Sequence, residues 1–426
     1  MTLKTWWAAV AVCILPLLHG CGGGSDDAGT GYVRLVNATD AYASLDLYAS
    51  DTLLNSGVET GNAGAYASLS GATYSMLLKS NGSSTTASTS SRTVGSGGYY
   101  TLVAYTTAES LRSAYLSDTE DAPSSGTAKL RVFNTSTEAG SVDIYVTATD
   151  AELSSSAANF SSLGTERISS YVAFGKSTYR IRVTAAGDKT DLRLDIPSIA
   201  LADQQIATLV LTTTPGGVLV HGLVINQQSS TSAQRNTSAR LRLVASATSN
   251  GTVAATANGT TLSSGLKSPA VGNYTLVTAG DLTLAVTVDG SSISATGHTL
   301  EAGSDTTLLV TGASSAATVT LIDDDNKPAL SSANTKLRLV NGVSGLSSPI
   351  TLTADYSAIA TDLALNSAST PVSTAASTTA RLEVTSPAVT GSMFLLTDVT
   401  LLAGRVYTVF MLGDTTTPVG VLRRDR

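Results

Sequence analysis

The sequence predicts an all-β protein: four tandem immunoglobulin-like β-sandwich domains behind a lipoprotein signal peptide. Three observations carry this. A six-residue strand pattern with a central arginine is written four times, as Tyr32–Asn37, Lys129–Asn134, Arg240–Ala245 and Lys336–Asn341. Its arginines, Arg34, Arg131, Arg242 and Arg338, recur at the spacing of one small β-domain. No stretch shows a sustained apolar pattern at helical spacing, whereas alternation of apolar and polar residues is frequent.

The 426 residues are too many for one core and fit several domains. Charged residues make up only 13% and the formal net charge is -7, which argues against a nucleic-acid partner. Abundant Thr and Val favour strands.

At the amino terminus Lys4 precedes an apolar run from Trp6 to Leu18. The run is shorter than the roughly 20 residues that span a bilayer and matches a secretory signal. Leu18-His19-Gly20-Cys21 resembles a bacterial lipobox, with His19 unusual at its position. That resemblance implies acylation of Cys21 by a diacylglyceryl thioether and an N-terminal acyl chain (palmitate or similar). More than one chain is what stable anchoring requires. An ordinary signal peptide with a chance cysteine is the plainer alternative. Residues 1–20 are therefore expected to be the signal peptide and 21–31 a flexible Gly-rich tether. About 10 such residues average about 17 Å end to end. With Cys13 removed, Cys21 is the remaining cysteine, so each domain must rely on its packed core rather than a disulfide.

The first domain, residues 32–122, reads as about seven strands. Val33 and Leu35 alternate with Arg34, Leu45-Asp46-Leu47-Tyr48 alternates again, Gly71 marks a turn, and Tyr99–Tyr105 precedes a closing strand from Leu111 to Leu116. In the second domain, 123–234, Val142-Asp143-Ile144-Tyr145 repeats the Asp-x-Tyr strand. Ile206–Leu211 is a continuous apolar run expected of a central strand. Pro215-Gly216-Gly217 is a hairpin turn, with Val218–Ile225 as the last strand. The third domain, 235–333, is the most divergent; its second strand is Thr252–Thr256. The fourth, 334–426, carries Leu402–Phe410 and ends on Val419–Leu422.

Leu130-Arg131-Val132-Phe133-Asn134, the Asp-x-Tyr strands and the late Ala403-Gly404-Arg405-Val406-Tyr407-Thr408-Val409 stretch resemble the bacterial domain-of-unknown-function 4397 family. The turns Ala38–Ala41 and Thr135–Glu138 lack the family's proline. The resemblance implies an extracytoplasmic β-sandwich and no assigned activity.

Candidate chemistry is sparse. The four arginines face away from the buried Val and Leu and are expected to be outward charges that keep an early strand from pairing with other chains. A ladder of anion contacts is the sharper alternative. Asp46 and Asp143 could pair with them, but the matching Ala254 and Thr351 carry no charge. Asp323-Asp324-Asp325-Asn326 could supply part of a calcium site, although a solvated linker is the expectation; Asp118, Glu120 and Asp121 are similar. His221 and His298 lie in different domains, so a Ser-His-Asp arrangement is not expected. Tyr99 and Tyr105 share one strand face and Tyr100 takes the other, a partial platform for a glycan, with core packing the expected use. The expectation is a non-enzymatic structural or interaction protein of the cell envelope, with no cofactor or metal. It would be lipid-anchored in the bacterial outer membrane, facing periplasm or exterior, as a rod of four domains, with the sequence leaving open whether they stand apart or pair by twos. Its partners would be the membrane, another envelope protein or a glycan. The alternative function is a carbohydrate-binding or adhesion module.

Overall fold

The computed structural model describes residues 29–107, 110–294, 297–314 and 316–426. The chain forms tandem β-sandwiches, each of two main sheets around its own apolar core, domain 3 adding a two-stranded sheet of Gly280–Asp281 and Thr299–Leu300. Domain 1 has eight strands. One sheet runs Ala67–Ser70, Thr30–Asn37, Tyr99–Thr107, Ser110–Ser117; the other runs Thr52–Glu59, Ser44–Ala49, Ala72–Ser80, Thr86–Val94. Two strands are absent from the sequence reading: Thr52–Glu59, and Thr86–Val94, TASTSSRTV, whose polar residues leave no hydrophobic signal.

The first strand, which carries the arginine, lies inside its sheet. It pairs in parallel with the strand that precedes the long closing strand, called penultimate although in domain 2 a short further strand follows: Arg34 sits beside Thr101, Arg131 beside Thr208, Arg242 beside Thr307 and Arg338 beside Thr408. Every residue of the penultimate strands Ile206–Thr212 and Val406–Gly413 is buried. Burial of both faces is what a continuous apolar run encodes.

The second buried face is covered by another domain. Val36, Val103, Tyr105 and Leu116 of domain 1 pack on Phe133, Val210, Leu223 and Ile225 of domain 2. Val244 and Leu309 of domain 3 pack on Val340, Phe410 and Leu412 of domain 4. Whether the domains stand apart or pair is a question the sequence leaves open; in the structure consecutive domains are stacked face to face in two pairs.

Strand direction explains the pairing. The first and penultimate strands run parallel and the last runs antiparallel to them, so domains 1, 3 and 4 begin and finish at the same end. A chain leaving where it entered cannot continue end to end; its next domain must lie alongside. Domain 2 differs. Its last expected strand, residues 218–225, is His221–Asn226, and a further strand, Thr231–Gln234, turns back along it. The chain therefore leaves domain 2 at the far end. There the turn at Pro215–Gly217 meets domain 3, with Gly216 N donating to Gly303 O at 3.1 Å. Gly217 has φ +78°, and a Cβ there would lie 2.5 Å from the Lys327 side chain. The two pairs stack end on end through this close approach.

Phe410, fully buried between domains 3 and 4, reports on the pairing. Phe410→Ala should cost about 3–5 kcal/mol. Urea unfolding of the full chain should show the transition of domains 3 and 4 shifted as one unit, with that of domains 1 and 2 in place.

Candidate functional site

Three of the four arginines are withdrawn from solvent. Arg34, Arg242 and Arg338 are only 3%, 2% and 1% exposed and lie between paired domains; Arg131 is partly buried. They do point away from their own sandwich core, as alternation requires, but the neighbouring domain covers that face. The expectation of an outward, pairing-blocking charge is corrected accordingly.

The same polar device is built in each domain. The arginine Nε donates to the threonine beside it on the penultimate strand: Arg34 to Thr101 at 2.8 Å, Arg131 to Thr208 at 2.9 Å, Arg242 to Thr307 at 2.8 Å and Arg338 to Thr408 at 2.9 Å. In three domains that threonine donates to an aspartate just past the last strand, Asp118, Asp324 or Asp425. A tyrosine opposite the arginine supplies its ring: Tyr66, Tyr171 and Tyr274 lie 4.7, 4.5 and 4.5 Å from the guanidinium carbons of Arg34, Arg131 and Arg242. Such contacts are stronger when desolvated. In domain 4 that place is taken by Pro371, the residue before the strand Val372–Ala375.

Between domains 3 and 4 the device closes across the interface. Arg242 reaches Asp425 of domain 4 and Asp324 of its own domain, the latter at 3.3 Å, while Arg338 reaches back to Asp324. Two guanidiniums thus face two carboxylates, and Tyr274 donates a further hydrogen bond to Asp324. Burial alone would raise the Asp324 pKa, yet Arg338 and Arg242 hold it below the ordinary carboxylate range. Burial likewise opposes charge on Arg242, and Tyr274, Asp324 and Asp425 hold its pKa above the usual value. The charges are mutually satisfied, the condition under which buried ions are tolerated.

The acidic candidates fall into place around this cluster. Asp324 belongs to the interface rather than to a solvated linker, and its oxygens are occupied by two arginines, a threonine and a tyrosine. Asp325 pairs with Lys336 at 2.7 Å, and the Asp323 carbonyl accepts from Arg338. Among the described residues no group of acidic, His or Cys side chains is arranged to hold a metal. Asp118 lies 3.7 Å from Arg34, Glu120 pairs with Lys129, and the Asp121 carbonyl accepts from the same lysine. Asp46 and Asp143 do not meet the arginines. Asp46 accepts from Gly57 N and Asn81, and Asp143 from Ser162 N and Gly187 N.

The tyrosines divide as alternation predicts. Tyr105 is buried between domains 1 and 2 against Phe133 and donates to Glu166 at 3.1 Å. Burial, then Glu166, pushes its phenol up to about 12. Tyr100 stacks on Tyr115 on the opposite face. Tyr99 stacks on Tyr32 at 4.5 Å and meets the edge of Tyr66. The three sequence-named tyrosines therefore form no shared platform.

His221 lines a cavity of about 870 Å³ where the two pairs meet, together with Asp40, Arg235 and Lys327. Its Nδ1 accepts from Asn236 N at 3.0 Å. Burial, then Arg235, pushes its pKa down to about 4. His298 is elsewhere, its carbonyl accepting from Leu282 N. Cys21 lies outside the described residues. What sequence reasoning missed was the aspartates' role: each stands two residues beyond the partner of the threonine, a spacing visible only once strand register is known.

Two outcomes follow. Asp324→Asn leaves Arg338 without its carboxylate in a dry interface and should cost about 3–5 kcal/mol in urea unfolding. For His221, a folded pKa below the unfolded value means its contribution is intact above about pH 6.5 and is lost as the pH falls toward about 4. Wild-type protein should lose about 2–3 kcal/mol from this group between pH 7 and pH 4.5, and His221→Gln should flatten that part of the profile.

A family model described as "Domain of unknown function (DUF4397)" matches residues 31–145 and 239–346. Among solved structures, the Bacillus anthracis TIE protein is similar at 10% identity over 91% of this chain and 69% of that one, with a TM-score of 0.14. The product complex of SpuA, a multi-modular glycogen-degrading pneumococcal virulence factor, is similar at 7% identity over 63% of this chain and 37% of that one, with a TM-score of 0.16. A search of curated proteins finds no match. The two matched regions hold the arginine strands of domains 1, 2, 3 and 4 and together make up more than half the sequence, so the chain belongs to the DUF4397 family.

Proposed function

We propose that this protein is a lipid-anchored envelope scaffold, which holds binding surfaces at a fixed distance from the membrane rather than performing catalysis. The observation that carries the reading is the use made of its buried charges. Arg242, Arg338, Asp324 and Asp425 are committed to one another across a domain interface. Groups spent on joining domains give stiffness, and a stiff body on a short tether is suited to presentation. The lipobox-like Leu18–Cys21 and the glycine-rich residues that follow support attachment through Cys21. The four domains would make up such a rod as two end-to-end pairs, halving the number of bodies along the axis.

The glycan-binding alternative draws less support, because Tyr100 and Tyr105 are engaged in packing. A non-enzymatic role and an outer-membrane location are parts of the same proposal.

Cys21→Ser should move the protein from the membrane fraction to the soluble fraction and abolish incorporation of labelled palmitate. An unchanged distribution would remove the anchor from the proposal. Protease treatment of intact and permeabilised cells would then report which side of the membrane displays the domains.

A further inference from the structure

We infer that the interface between domains 1 and 2 contains a carboxylate-binding site at Arg131, independent of how the chain is anchored. The argument begins with register. Thr101 pairs with Leu116, Thr307 with Ile322 and Thr408 with Arg423; two residues further on stand Asp118, Asp324 and Asp425. In domain 2 Thr208 pairs with Ile225, and two residues further on stands Gln227. Domain 2 thus has an amide where its three siblings have an acid.

That amide is used elsewhere. Gln227 accepts from Glu120 N at 3.2 Å and donates to Glu120 O at 2.8 Å, clamping the linker between the domains. Arg34 and Arg131 are left with one aspartate, Asp118, which lies beside Arg34. No acidic group among the described residues comes within salt-bridge distance of Arg131. Glu120 is tied to Lys129.

Arg131 is nevertheless fixed as its siblings are. Its Nε is held by Thr208, and its plane lies over Tyr171. Its two terminal nitrogens have no hydrogen-bond partner among the described residues, and the side chain is partly exposed. A guanidinium pinned at Nε and stacked on a ring offers two parallel N–H groups, the geometry that accepts a carboxylate edge-on. Because the fork is already ordered, a ligand need not meet that entropy cost. The half-buried Tyr171 beside it could add ring contact for a sugar acid, which a simple carboxylate would not exploit.

The test is thermal unfolding of the full chain in detergent, with sodium acetate and sodium glucuronate titrated against sodium chloride at equal ionic strength. Both carboxylates should raise the melting temperature of domains 1 and 2 saturably, whereas chloride should not. Arg131→Gln should abolish the effect, and Gln227→Glu, which installs an internal acid, should weaken acetate binding at least tenfold. Tighter binding of glucuronate would assign a sugar acid; equal binding would assign the carboxylate alone. Indistinguishable responses to the three salts, or a saturable response that survives Arg131→Gln, would overturn the site. Should Arg131→Gln fail to fold, saturation transfer from the Tyr171 ring to bound acetate in the wild type decides the matter, and its absence overturns the inference.

Discussion

A guanidinium on the outer face of a strand, hydrogen-bonded to the neighbouring strand but denied water, is the constraint on which the architecture depends. Removing such a charge from solvent costs several kcal/mol unless an opposite charge and full hydrogen bonding accompany it. In domains 3 and 4 the requirement is met reciprocally, since Arg242 reaches across to Asp425 and Arg338 to Asp324. Neither domain satisfies its own arginine completely. The apolar contacts around Phe410 supply attraction, and the ions fix which faces meet and in what register.

The two pairs solve the same problem unequally. Arg34 turns to the carbonyls of Asn226 and Ser229 in domain 2, as well as to Asp118. Its interface also recruits Thr231, which donates to Gly61 O at 2.9 Å, and Gln228, which donates to Asp118 O at 2.8 Å. Domains 1 and 2 are thus joined largely by backbone acceptors, and domains 3 and 4 by paired charge. Divergence of one repeat from another is therefore visible as a change in how a buried cation is satisfied.

The sandwich class and the repeat were legible because alternation and the recurring arginine are local signals. The Ile206–Leu211 run also announced a central strand. Thr86–Val94 escaped because an edge strand of Ser and Thr carries no apolar period. The face-to-face pairing escaped for a different reason. A one-residue alternation says which side of Arg34 is opposite Val33 and Leu35, but not whether that side is wet. Ile206–Leu211 reads only as a central strand; taken as burial on both faces, its continuous apolar run would have required a cover over domain 2, and the same logic applied to Val36 would have placed one over domain 1. The acidic run at Asp323–Asp325 looked like a linker because its partners are up to 82 residues away in sequence.

The short strand Thr231–Gln234 sets a parity rule for the whole chain. A closing strand antiparallel to the first returns the polypeptide to the pole it started from; one further antiparallel strand, as in domain 2, carries it to the opposite pole. Domains 1, 3 and 4 bring it home, and domain 2 does not. Elongation can therefore occur only after every second module, which makes the doublet the quantum of length. A homologue with six such modules, built on this alternation, would be three doublets tall.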